Sequence, residues 1–210
     1  KKIKNIFNIN INIFIRTILL TFSFLWFTYL GSQIGEDYIA ANAILINLVF
    51  LSAFILDAYA FSIEGMVGYS LGKKDLCLFK KIVKNSFILS SITGLIISAI
   101  YFFINKYVIQ LMSDIEIIRN LSSTYAVWLI ILPLISSFCF QFDGIFIGAS
   151  QTKELRNAMI FSVFSYLLIS LYLTKLMSNT GIWISLCLFM VLRALSLFYY
   201  LEKIYLKFDK

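Results

Sequence analysis

Six times along the chain, apolar residues run on for about 20 positions or more, the length a helix needs to cross a bilayer core. The runs cover about 12–31, 39–71, 85–105, 121–149, 157–177 and 181–201. None carries the long amphipathic stripe of a helix that lies along a membrane surface, so each predicts a spanning helix. The polar segments between them are short: GSQIGEDY (31–38), KKDLCLFKKIVK (73–84), 105–120, SQTKELR (150–156) and TKLMSNT (174–180). None could fold as a soluble domain, and none reads as a flexible linker. The expectation is one all-α integral membrane domain over 1–210, a bundle of six transmembrane helices.

Composition agrees with that pattern. The chain is 60% hydrophobic and 14% charged, where a soluble domain is nearer half apolar and about a quarter charged. The net charge of +7 would point to nucleic acid in a soluble protein. Here the basic residues fall between apolar runs, and they fall unevenly. The N-terminal tail, 73–84, 150–156 and the C-terminal tail carry 13 Lys and Arg; 31–38, 105–120 and 174–180 carry 3. Positive charge marks the cytoplasmic side, so both termini are expected there. The partner is a lipid bilayer, and no nucleic acid is expected. Trp26, Tyr29, Tyr38, Tyr107, Tyr125 and Trp183 lie near the outer ends of the runs, as interfacial aromatics do.

Cys77, Cys139 and Cys187 are odd in number and lack metal-ligand spacing, so they are read as small packing residues; no metal or cofactor is expected. The first run contains Arg16, and no cleavage pattern follows it, which argues against a secretory signal. The chain opens at Lys1 rather than Met, so it is expected to be a piece of a longer product or to have lost its start.

Five ionisable side chains lie inside the runs: Arg16, Asp57, Glu64, Asp143 and Arg193. Each costs ~3 kcal/mol near the bilayer centre if unpaired, so such groups face the bundle interior and mark ion or proton paths. Depth follows from the helical rise. Glu64 and Asp143 sit ~10–12 Å in from the cytoplasmic end of their spans. Arg193 and Arg16 lie at a similar level. Two readings of Glu64 and Asp143 stand: a buried network held by Arg16 and Arg193 that fixes packing, or cation handling. Asp57 sits ~10 Å deeper than Glu64, close to the midplane, with no arginine expected at its level. It is the first candidate for proton or ion coupling, against the alternative of a neutral carboxyl bonded to a neighbour.

The face that carries Asp57 and Glu64 also carries Ala53, Ala60 and Gly68, small residues that let a neighbouring helix come close; Gly68 and Gly72 form a G-x-x-x-G. Pro133 lies midway along the fourth run and is expected to kink it. The second and fourth runs end alike, in GYSLGK and GASQTK, which hints at an internal repeat.

Taken in order, these motifs resemble the C-terminal half of the multidrug and toxic compound extrusion (MATE) family, in its DinF-like branch. The resembling stretches are NIFIR (12–16), AANAIL (40–45), LDAYAFSIE (56–64), GYSLG (68–72), Leu132 with Pro133, DGIFIGAS (143–150), RNAM (156–159), GIW (181–183), and Leu192 with Arg193. The resemblance implies one six-helix lobe of a twelve-helix transporter, supplying helices seven to twelve, with the N-terminal lobe missing. It implies proton or sodium entry driving export of small organic cations or amphipathic drugs through a cavity between lobes. In DinF-like members the coupling aspartate is attributed to the absent lobe. Another branch pairs an acid on the seventh helix with one on the tenth; Asp143 matches the latter loosely, but the first run here offers only Arg16.

Three other readings compete. A lipid-linked oligosaccharide flippase would line its cavity with cationic residues, and only Arg16 and Arg193 are available. An intramembrane aspartyl protease needs G-x-G-D, and FDGIFIG (142–148) has the order wrong; no other hydrolase motif and no histidine is present, so an enzyme is not expected. An inactive fragment of a split transporter gene is the last.

Overall fold

The computed structural model describes residues 2–208, and the side chains from Ile6 onward. Lys1 and Lys210, counted in the charge bias above, lie outside the described residues, as do the side chains of Lys2 and Lys4. Every regular element is helical: α1 (Lys2–Ile34), α2 (Glu36–Gly72), α3 (Leu76–Met112), α4 (Glu116–Tyr125), α5 (Val127–Gly148), α6 (Thr152–Met177), α7 (Asn179–Tyr200) and the short α8 (Glu202–Tyr205). Among the described residues, six helices are long and apolar enough to cross a membrane: α1, α2, α3, α5, α6, and α7 with its extension through α8.

The helices overrun the apolar runs, because polarity alone does not end a helix. The lysine-rich segment 73–84, expected as a loop, is mostly the first turns of α3. Asp75 starts that helix by accepting from the Leu78 N–H at 2.8 Å, which satisfies one of the open donors of the first turn. Segment 105–120 is likewise helical except at 113–115, where Ser113 is extended. The fourth run is divided at Ala126 into the polar α4 and the apolar α5.

α5 is the centre of the bundle and packs on α2, α3 and α7. Its contact with α2 runs through glycines. A Cβ on Gly144 would strike the Ala60 carbonyl and lie 2.7 Å from Ile63 Cγ2; one on Gly148 would strike the Glu64 carbonyl and lie 2.9 Å from Glu64 Cα. Residues 60 and 64 thus face 144 and 148 in the same order, so the helices run parallel with their backbones nearly touching. The close approach comes from Gly144-x-x-x-Gly148 rather than from Gly68 and Gly72. Gly68 merely faces the Gly148 carbonyl at 3.5 Å, and Gly72 faces open space. On the other side of α5, Gly94 of α3 sits against the Pro133 carbonyl. α5 continues through Pro133, and the carbonyl of Ile130, one turn earlier, accepts from Ser98 at 2.7 Å.

The echo between GYSLGK and GASQTK has a local cause. After α2, the Asp75 N–H reaches back to Ser70 and the Lys74 N–H to Leu71; after α5, Gln151 reaches Phe146 and Ser150 reaches Ile147. Lys74 and Ser150 both take left-handed conformations, φ 54° and 53°. Both helices therefore end in the same Schellman turn, side by side. That likeness belongs to two parallel helix ends and calls for no repeat.

The chain's turns sort into two ends. At one, Asn12 bonds Thr152 and Arg156, Lys203 pairs with Glu154 at 3.1 Å, Lys207 donates to the Ala149 carbonyl, and Phe79 packs on Tyr205 and Phe208. Burial there lowers the Lys207 ammonium below its ordinary pKa, with nearby Glu154 partly opposing. At the other end Asn42 and Asn179 exchange amide hydrogen bonds of 2.6 and 3.1 Å. Trp183 corrects an expectation. It is fully buried, stacks on Trp128, meets Phe27 edge-on and donates to Asn42 Oδ1 at 3.0 Å. A buried partner for its N–H removes the need for a wet interface.

Candidate functional site

Three of the five intramembrane charges meet at the junction of α1, α5 and α7. Asp143 projects from the buried face of α5, one residue before the glycine that lets α2 come close. Arg16 of α1 and Arg193 of α7 both donate an Nη2–H to the same oxygen, Asp143 Oδ2, at 2.6 Å for Arg193. Asp143 and Arg193 are 3% and 2% exposed, so this is a buried two-to-one cluster with an excess positive charge. It leaves three buried polar atoms without a partner among the described residues: Asp143 Oδ1, Arg16 Nε and Arg193 Nε. Arg193 is further held by Met190 Sδ at 3.4 Å and by the Phe189 ring, 5.4 Å from its guanidinium carbon. Cys139, buried and free, lies close enough to the cluster to feel its charges.

Asp57 is not isolated from arginine. It and Arg193 line one cavity of about 160 Å³, with Ser52, Ala53, Pro133, Ser136 and Phe140 on its walls. Depth counting by Cα position takes no account of the long, flexible stem that carries an arginine's charged head away from its own level. Yet Asp57 has no hydrogen bond, and no ion pair within 4 Å, with any described residue. It is half-buried. Above it, Ser52 bonds Tyr101, which donates to the Leu48 carbonyl. The cavity is therefore an apolar pocket whose charged groups are one free carboxylate and one arginine already engaged elsewhere.

Glu64 stands apart from both. Its backbone lies beneath Gly148, its side chain is half-exposed, and no arginine reaches it. The expected packing network thus forms around Asp143 and leaves Glu64 out. Height along a helix was readable from the sequence, but the direction around it was not. Ionisable residues also drew all the attention. Gln141, fully buried on α5 and bonded by Ser86, and the Asn42–Asn179–Trp183 group were missed, although an amide in an apolar run is itself a signal of interhelical bonding.

A helical bundle with six helices long and apolar enough to span a membrane, and a buried charge cluster beside a cavity, defines a multi-pass membrane protein. The chain belongs to the MatE family, whose model matches residues 13–176. It is 33% identical over 189 residues to DNA damage-inducible protein F of Escherichia coli K12, covering 90% of this chain and 41% of that protein. The chain thus spans about two fifths of the length of this curated relative. Among solved structures, a MATE transporter in complex with MaL6 superposes with a TM-score of 0.87 at 12% identity, over 99% of this chain and 48% of that one. A MOP superfamily transporter from Pyrococcus furiosus Vc1, described as having a binding pocket of reverse polarity, gives 0.83 at 21% identity, over 94% and 44%. These last two likenesses show the fold.

Proposed function

We propose that the chain is the C-terminal lobe of a proton- or sodium-coupled multidrug antiporter exporting organic cations or amphipathic drugs. The observation that carries this reading is the cavity between α1, α2, α5 and α7, in which a free carboxylate, Asp57, shares the lining with an arginine bound to a second carboxylate, Asp143. Free acids inside a membrane mark ion paths. The two-fifths coverage of the Escherichia coli relative supports one lobe of two, with an N-terminal lobe supplying the rest of the path. The clustering of lysines at one end of the bundle supports a bacterial plasma-membrane protein with both termini cytoplasmic.

The test is dye efflux from cells expressing residues 1–210 with and without a matching N-terminal half. Efflux should need both halves; robust efflux by the isolated chain, without dimerisation, would defeat the half-transporter reading. In the complete transporter Asp57→Asn should abolish coupling while membrane insertion stays intact. Unchanged pH-dependent transport would remove Asp57 from the role. Asp143 and Glu64 remain coupling candidates of lower rank, one engaged by two arginines and the other outside the cavity.

The excess of arginine over aspartate in the cluster favours one second reading, a flippase that grips an anionic pyrophosphate. Binding assays with an organic cation and with a lipid pyrophosphate separate the two.

A further inference from the structure

We propose that Arg193 is an exchanging ion-pair partner: it rests on Asp143 while Asp57 is protonated and turns into the cavity to Asp57 when Asp57 is ionised. The inference deepens the coupling role given to Asp57 above and rests on it. Arg193 and Asp57 line the same cavity, so the space between them is open to the side chain. The charges acting on Asp57 are Asp143 on α5 and Arg16 and Arg193 on α1 and α7. α5 adds the titratable Cys139. α3 and α4 add no charge there, and the α3 phenol Tyr101 is committed to Ser52 and Leu48.

The exchange is cheap because Asp143 is doubly served. Both arginines bond one oxygen, Oδ2, and Arg16 stays on it when Arg193 leaves. A buried carboxylate stripped of its partner costs several kcal/mol, and Asp143 is never left as one, because Arg16 stays bonded to it. In the Asp143-bound arrangement with Asp57 ionised, by contrast, Asp57 would sit unpaired in an apolar pocket. The charge sum points the same way: two arginines and Asp143 leave one positive charge over, and ionised Asp57 cancels it. Arg193 trades its Asp143 bond for one to Asp57 and gives up besides it only a Met190 sulfur contact, while its flexible stem lets the guanidinium stay near the Phe189 ring. The proton state of an α2 acid thereby sets whether α7 is tied to α5 or to α2, a coupling between a titration and helix contacts.

The test reads cavity access. In the full transporter with Cys77, Cys139 and Cys187 replaced, Ser136→Cys is labelled with N-ethylmaleimide across a pH series, in otherwise native protein and in Asp57→Asn. The ratio of the two rates cancels the thiol's own titration. It should be near unity at low pH and fall severalfold at high pH, as Arg193 fills the cavity. With Arg193→Gln the ratio should stay near unity throughout, and with Asp143→Asn in the native Asp57 background labelling should be slow at every pH where Asp57 is ionised. A ratio independent of pH, or a fall that persists in Arg193→Gln, overturns the proposal. Ala53→Cys, on the same wall, repeats the measurement if Ser136→Cys does not fold. Labelling needs no cargo and no gradient, so loss of transport in Asp57→Asn alongside a flat ratio would sink the exchange and leave the coupling role standing.

Discussion

Arg16 and Arg193 bind one atom, yet their substitutions should differ. Arg193 is enclosed on all sides and Arg16 is partly open, its side chain 16% exposed. Removing one partner of a buried pair costs about 3–5 kcal/mol when the other charge is left uncompensated. Neither substitution does that, because the other arginine keeps Asp143 bonded; Arg193→Ala instead opens a buried hole beside Phe189 and should destabilise by ~2–5 kcal/mol, as large-to-small changes in a packed interior do. Arg16→Ala leaves Asp143 still bonded by Arg193 and should cost distinctly less. Thermal unfolding in detergent compares the two, and equal losses would show that the arginines do not substitute for one another. Glu64→Gln should leave folded yield unchanged, since Glu64 has no cationic partner to lose; a yield restored only by removing an arginine as well would contradict that. At this scale the sequence singled out five charges by their expense in lipid, and three of them meet. It could not say which would touch. The levels along the helices were countable, whereas contact depends on rotation about each axis and on side-chain reach.

Among the elements, the α2–α5 seam decides the packing. Small residues let two backbones approach where no hydrophobic force draws helices together in lipid. At Gly144 and Gly148 the approach is so close that any Cβ meets a main-chain carbonyl of α2, which cannot swing aside as a side chain would. Gly148→Val should therefore push α2 from α5 and lower both thermal stability and folded yield, by ~1–3 kcal/mol or more for overpacking. Gly72→Ala, facing open space, should be neutral or slightly stabilising through the better helix propensity of alanine. A size-exclusion and melting comparison of the two checks this; a tolerated Gly148→Val would mean the seam is looser than its geometry. The glycine motif was visible in the sequence on the wrong partner. Gly68 shares the face of the acids and forms a G-x-x-x-G with Gly72, but G-x-x-x-G is common in apolar helices and only the pairing selects among copies. Helix number was legible because lipid demands long apolar runs. Helix ends were less so, since Asp75 caps α3 inside a segment whose lysines resembled a loop.

For the molecule as a whole, the two ends differ in kind. One gathers the first turns of α3, the α5–α6 turn and the C-terminal segment, where Lys203 and Lys207 dock onto Glu154 and the Ala149 carbonyl. The other is closed mainly by neutral groups, the Asn42–Asn179–Trp183 bonds and the Tyr38–Tyr125 contact, with one exposed ion pair, Arg119–Asp114. Folding thus collects the charge asymmetry of the sequence onto one face of the bundle, although the five lysines of 73–84 lie in and just before a helix rather than in a loop. Those lysines are exposed on a helix start and contribute little to packing; in the proposed topology their use is to hold that end on the cytoplasmic side. Cysteines introduced at exposed Tyr107 and at exposed Lys153 should distinguish the sides. The first should react with a membrane-impermeant thiol reagent added to intact cells, and the second only after the cells are opened. Replacing Lys73, Lys74, Lys80, Lys81 and Lys84 together with glutamine should weaken that bias, so that a fraction of molecules shows the reverse labelling, while Lys203 and Lys207 keep the remainder correctly placed. Labelling at 153 in intact wild-type cells would invert the topology and, with it, the side from which a proton reaches Asp57.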